Sequence, residues 1–327
     1  MKILTTIKSL MELNPNTIYE EYVNNRLDKI TVIKQLISII ENYDDNAIRE
    51  ESIKVLGKVK LISEDLFDLF ENLLLSDSSE IIRNAAAIYL SEHHLNDSLA
   101  VFKWALQYEK SINCLLTIAR TLVKINSKES KTILIEQLKK IRKTQYINLE
   151  KGYENKRYKK ALKPLIKRNK IANFSHQQLG EILINFFTVK KLIEDIPNVY
   201  FELNSANLLV EKLDLSDYLE FEVKGTPWGW KNNLRDLSEI SGLKNLKNLK
   251  KLDLSNNQIE NVKGLVELQN LTHLILSNNQ ISDADNLEYL KQLSKLQFLD
   301  LCGNRIVNFV KKADFNPNTR VLLNRFI

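Results

Sequence analysis

Apolar positions in the last third of the chain recur at a regular spacing. Three copies of L-x-x-L-x-L-x-x-N-x-I begin at Leu249, Leu271 and Leu296, so the spacing is 22 and then 25. Within L-x-L the two leucines point to one face of an extended segment and the residue between them to the other. Each copy therefore predicts a short strand with one buried side. One copy cannot bury that side alone; stacked copies do so as a parallel sheet over a continuous leucine core. An earlier coil carries Val210, Leu213 and Leu215 as its strand and Leu237, Ile240, Leu243 and Leu246 as the segment that follows. The interval from Val210 to Leu249 is longer than one repeat, so an insertion containing Trp228 and Trp230 falls near 217–234. Phe315, Val321 and Leu323 lie one repeat beyond Leu293, Leu299 and Leu301 and predict a truncated last strand. Five strands follow, centred near Asp214, Asp253, Ile275, Asp300 and Leu322.

Toward the N-terminus the apolar spacing changes to three and four. Val32, Ile33, Leu36, Ile39 and Ile40 recur, at an offset of 34, as Leu66, Phe67, Phe70, Leu73 and Leu74. AIREESIKVLG (47–57) recurs at the same offset as IIRNAAAIYLS (81–91). This is amphipathic-helix spacing, so the repeating unit is a pair of helices. Polar breaks such as Tyr43-Asp44-Asp45 and Ser76-Asp77-Ser78-Ser79 supply helix caps. A further helix is predicted over 174–197, with capping-box spacing from Ser175 to Gln178 and a stop at Ile196-Pro197. It either closes the helical array or covers the first edge of the sheet. The junction between the two parts is placed near Asn198, giving domains 1–198 and 199–327.

The C-terminal motif resembles the leucine-rich repeat, in the 22-residue class found in internalins and intracellular adaptors. Ile82-Arg83 followed by Ala85-Ala86-Ala87 resembles the HEAT-like repeat over about Asp28–Lys140. Ile48-Arg49 matches less fully because Glu50 and Glu51 follow it, and the third copy, CLLTIARTLV at Cys114–Val123, has lost the arginine. The tetratricopeptide repeat shares the same period, but its Trp, Gly, Tyr and Pro marks are missing here. The resemblances imply a multidomain repeat protein: an all-α solenoid, then a short α/β solenoid with a parallel sheet. They also imply a non-catalytic adaptor whose concave sheet face binds a protein partner.

Charge changes the picture in one place. Lys139–Lys170 holds 13 Lys or Arg against Glu150 and Glu154, a local charge of +11 in a chain whose total is +6. Lys156, Arg157, Lys159, Lys160 and Lys163 are its candidate anion-binding residues, and the interleaved Tyr146, Tyr153 and Tyr158 suit base stacking. Three readings stay open for this segment: a solvated helix face, an acidic protein or membrane surface, or RNA or DNA. The last defines the alternative function, a nucleic-acid-associated factor.

The strand register sets which side chains face out. One row holds Lys212, Lys251, His273, Phe298 and Arg320; the next holds Asp214, Asp253, Ile275, Asp300 and Leu322. Lys251, Asp253, His273, Ile275, Phe298 and Asp300 are the candidate partner-binding residues, because half-apolar concave faces anchor partners. Trp228 and Trp230 suit either a binding rim or the domain junction. Asn257, Asn279 and Asn304 fall where each strand turns, and an amide side chain there can satisfy backbone donors and acceptors at once.

Little points to catalysis, and no cofactor or metal site is expected. His93 and His94 are adjacent, His176 and His273 isolated, and no phosphate-loop, nucleophile-elbow, zincin or C-x-x-C pattern occurs. Only Cys114 and Cys302 are present, far apart, which argues against a disulfide framework. Residues 1–20 lack the apolar run of a signal peptide, and no stretch approaches the run of about 18 apolar residues that a membrane span needs. The expected location is the cytoplasm.

Overall fold

A computed structural model describes residues 14–60, 63–143, 153–168, 170–196, 199–217, 233–240 and 242–323. The chain divides into two compact units, Met1–Ile133 and Leu134–Ile327.

The first unit is helical: α1 (Pro15–Val23), α2 (Lys29–Asn42), α3 (Asn46–Val59), α4 (Glu64–Ser76), α5 (Glu80–His93), α6 (Leu99–Tyr108) and α7 (Ile112–Ile125). α8 (Lys128–Lys143) runs across the division. Of the two predicted polar breaks, Asp45 caps α3, whereas Ser79 stands at the start of α5 without a side-chain cap bond. Asp28 accepts from the N–H groups of Ile30 and Thr31, Asp45 from those of Ala47 and Ile48, and Ser63 from that of Leu66. α2 packs on α3 and α4 on α5, while α3, α5 and α7 stack as one row. Close stacking is possible because small side chains occupy the centre of that row: Ala85, Ala86 and Ala87 are buried in α5, and Ser52 in α3 donates to Ile48 O.

Two arginines join one hairpin to the next. Arg49 in α3 donates to Ile40 O, Asn46 Oδ1 and Asp77 Oδ2. Arg83 in α5 donates to both carboxylate oxygens of Glu109, and to the carbonyls of Asp77 and Ser78. At the third hairpin the helix cap moves from Ser79 to Ser111, and Leu115 occupies the arginine position.

The second unit holds α9 (Tyr153–Lys167), α10 (His176–Asp195) and a six-stranded sheet in chain order: β1 (Tyr200–Leu203), β2 (Val210–Asp214), β3 (Lys251–Asp253), β4 (His273–Ile275), β5 (Phe298–Asp300) and β6 (Arg320–Leu322). β2 to β6 are the five predicted strands, and they pair in parallel in the predicted register: Leu213, Leu252, Leu274, Leu299 and Val321 are successive partners. Leu215, Leu254, Leu276 and Leu301 form a second buried column. The outer segments are short 3-10 turns, such as Lys263–Glu267 and Arg305–Asn308, except in the longer repeat that starts at Leu271, where the added length forms α11 (Asn286–Lys291).

The sequence reading missed β1. It pairs antiparallel with β2, Phe201 opposite Leu213, and so covers the sheet edge that stacking leaves open. Only Phe201 of its four residues is buried, and it carries no leucine motif that would mark it. α10 begins at the predicted capping box of Ser175 and Gln178. It seals the first coil: Asn185 Oδ1 accepts from Val210 N at 3.0 Å, and Asn245 Nδ2 donates to Thr188 Oγ1 at 3.0 Å. The compact units thus divide earlier than the position near Asn198 that the sequence suggested, with α9 and α10 standing alongside the sheet.

Candidate protein-binding face

The turns that follow the strands hold the face in place. Asn257, Asn279 and Asn304 are buried, and each repeats one pattern. Asn279 Nδ2 donates to Leu254 O and Leu276 O at 2.9 and 3.0 Å, and its Oδ1 accepts from Ile259 N at 3.0 Å. Asn257 bridges Leu215 O, Leu254 O and Leu234 N; Asn304 bridges Leu276 O, Leu301 O and Ile281 N. Each amide therefore satisfies groups of two successive coils, so that the coils are locked at a common spacing. Asn286 does the same on the outer side, accepting from Val262 N and donating to Glu260 O. It lies in the longer repeat, outside the regular motif, and sequence reasoning did not find it.

The chain passes these turns in a left-handed conformation at Asn256, Asn278 and Gly303. Asn278 Nδ2 donates to Asn256 Oδ1 at 2.9 Å. Gly303 ends that outer pair, because a Cβ there would lie 2.3 Å from Asn278 Oδ1.

On the outward side, β2 to β5 frame a shallow depression of about 290 Å³. Lys251, Asp253, His273, Ile275 and Phe298 line it, together with Lys212 and Asp214. Asp300 lies beside Ile275 one strand on. His273 and Phe298 are cross-strand partners and stack, ring centroids 5.9 Å apart at 26°. Thr272 Oγ1 lies 3.0 Å from His273 Nδ1. Burial, and then the neighbouring Lys251 charge, pushes the His273 pKa down. Ile275 and Phe298 are half-buried.

The aspartates have a second duty. Asp214 and Asp253 each accept from the N–H and hydroxyl of the serine two residues on, and Asp300 accepts from Cys302 N. They fix the exit turn of each strand as well as facing outward. Burial raises the Asp253 pKa, as does Asp214 beside it, against the Ser255 hydrogen bonds and Lys212 that lower it.

The basic segment is less available than its sequence implied. Tyr158 is fully buried, edge-to-face with Phe186 and tilted against Phe201. It is a core residue and offers no stacking platform. Arg157 is turned inward: its Nη1 donates to Phe201 O, and its guanidinium lies 4.3 Å from the Tyr200 ring centroid. It anchors the added edge strand. Lys160 and Lys163 are exposed. Tyr146, Trp228 and Trp230, and the side chains of Tyr153, Lys156 and Lys159, lie outside what the structure describes.

The helical unit carries an exposed aromatic pair that sequence reasoning did not single out. Trp104 and Tyr108, four positions apart on α6, are both exposed with ring centroids 4.5 Å apart. Their i,i+4 spacing on the polar face of an amphipathic helix was the available signal. His93 and His94 are drawn into the α5 core end, His94 edge-on to Phe67 and His93 against Tyr89. Among the described residues there is no group of three or more His, Cys, Asp or Glu placed to hold a metal ion. None of the described helices is long and apolar enough to cross a membrane.

Residues 248–268 match the family described as Leucine Rich Repeat, and residues 269–317 match the family described as Leucine Rich repeats (2 copies). The segment 248–317 therefore consists of leucine-rich repeats, a class of module commonly used for protein interaction. No curated protein and no solved structure matches the chain.

Proposed function

We propose that this chain is a non-catalytic adaptor that holds a protein partner on the outward face of its leucine-rich sheet. One observation carries the reading: His273, Ile275 and Phe298 form a partly exposed apolar depression on the regular strands, lined by charged residues on either side. A half-apolar depression on a rigid repeat scaffold is where a partner's anchor residue gains most by desolvation. The scaffold is pre-organised by its asparagine ladder, so little ordering opposes association.

The helical unit, read as a HEAT-like array, supplies further surface such as Trp104 and Tyr108 for a second partner. Cys114 and Cys302 form no disulfide among the described residues, which suits a reducing compartment, and the reading places the protein in the cytoplasm. Nucleic-acid binding through the basic segment draws no support from Tyr158 or Arg157, whose side chains serve the interior.

The experiment is affinity capture from native lysate, with and without nuclease, using the wild type beside Ile275→Glu and Phe298→Glu. A protein lost from both variants but retained after nuclease supports the adaptor reading. Equal capture by all three forms refutes it, and capture abolished by nuclease transfers the function to the basic segment.

A further inference from the structure

The outward face separates its charges by row. On the row nearer the strand starts, the parallel register puts Lys251, His273, Phe298 and Arg320 side by side on β3 to β6. On the row nearer the strand ends stand Asp253, Ile275 and Asp300. These rows differ in how far their charges are already engaged. Asp253 and Asp300 accept backbone N–H bonds from their own exit turns. Lys212, at the start of the first row, lies 3.4 Å from Glu202. Lys251 and Arg320 are exposed and form no ion pair among the described residues. The stacked His273 and Phe298 rings thus lie between two uncommitted cations.

We infer that the occupant of this face is an extended acidic peptide segment of the partner, with one apolar side chain set between two carboxylates. The inference rests on the adaptor reading above and specifies the partner's chemistry. Strand spacing gives the dimension: Lys251 and Arg320 are three strands apart, about 14 Å at ~4.8 Å per strand. An extended chain rises about 3.3 Å per residue, so that span corresponds to about four residues. In such a chain residues i, i+2 and i+4 share one side. An acidic residue at i reaches Lys251, an apolar side chain at i+2 enters the depression beside His273 and Phe298, and an acidic residue at i+4 reaches Arg320. A basic flank meets unpaired cations and is disfavoured by like charge. The aspartate row on the other side gives the segment a preferred lateral position, since carboxylates placed there meet Asp253 and Asp300.

Selection from a random peptide display library against the full chain tests this directly. The expected result is enrichment of acid-x-apolar-x-acid sequences. Synthetic peptides of that type should bind about tenfold more weakly to Lys251→Glu and to Arg320→Glu, and more weakly at high salt than at low. A parallel selection on the Lys251→Glu, Arg320→Glu double variant should enrich basic flanks. Peptides that need Phe298 but carry no acidic flank overturn this inference and leave the adaptor reading intact. Peptides that bind Phe298→Glu as tightly as the wild type count against both. A selection that enriches nothing also overturns the inference, and the lysate capture then decides the adaptor reading separately. An RNA or DNA oligonucleotide competing for the same face would replace the peptide with a nucleic acid.

Discussion

Arg83 of one helical hairpin grips Glu109, which caps the loop of the next, through two hydrogen bonds of 2.8 and 3.0 Å. Glu109 also accepts from the N–H groups of Lys110 and Ser111. Its carboxyl is 3% exposed, and the burial that would raise its pKa is outweighed by Arg83 and the two backbone donors. Arg83→Ala leaves that carboxylate buried without its guanidinium. We expect a loss of about 3 kcal/mol in urea unfolding of the helical unit. Glu109→Ala should cost a similar amount, and the double variant less than the sum. Additive losses would show that the pair is not coupled.

Gly303 is held at φ +73, and any Cβ there meets Asn278 Oδ1. Gly303→Ala should cost about 1–2 kcal/mol from the left-handed backbone alone, with a further loss from displacing Asn278. Adding Asn278→Gly should return only the side-chain part of that further loss, because the Cβ would still lie 3.1 Å from the Asn278 backbone N and Cα. Thermal unfolding of the two variants separates the contributions, and an Ala variant as stable as the wild type contradicts the turn geometry described.

The Tyr158 hydroxyl is buried with no hydrogen-bond partner among the described residues, and burial pushes its pKa well above the usual phenol value. Tyr158→Phe removes the unsatisfied group while keeping the ring against Phe186 and Phe201. It should leave stability unchanged or raise it by about 1 kcal/mol. Tyr158→Ala, which removes the ring, should cost about 3–5 kcal/mol. A clear loss on Tyr158→Phe would reveal a hydroxyl partner.

His93 and His94 have pKa values lowered from 6.5 by burial, partly offset by Glu92 at His93 and Asp97 at His94. A group depressed in the folded state protonates first in the unfolded chain. The stability tied to the neutral rings is therefore complete above the unfolded value of 6.5. It is lost as pH falls from there through the folded values. The Arg83–Glu109 pair loses its contribution only in the lower carboxylate range, so a decline beginning below about pH 6.5 reports the histidines. Chemical denaturation at a series of pH values should show that decline in the wild type and a flatter profile in His94→Phe.

The leucine columns were readable because their cause is local. A side chain at every second position of a strand must go in or out, so L-x-L fixes both the register of β2 to β6 and which row contains Phe298. The cap at Asp45 was readable for the same reason: the capped N–H groups lie two and three positions away. What the sequence hid depends on partners distant along the chain. β1 gains its place from pairing with Leu213 and from the Arg157 guanidinium against Tyr200, a contact between elements far apart in sequence. Tyr158 looked like a surface aromatic in a lysine-rich run, yet it is in the core because Phe186 and Phe201 come to it from other elements. Among the candidate residues, Lys251, His273, Ile275 and Phe298 were placed on the outward face by register alone. The second role of the aspartates is local, to the residue two positions on, and was overlooked; the pairing of Lys212 depends on Glu202 from another strand and had no local signal.

The partner-binding claim is tested most directly by hydrogen exchange on the full chain with and without the captured partner. Partner binding on the sheet should bring new protection at the backbone of 251–253, 273–275 and 298–300, absent in Phe298→Glu. Protection confined to 153–170 or to the helical hairpins, with the three strands unchanged, would contradict it.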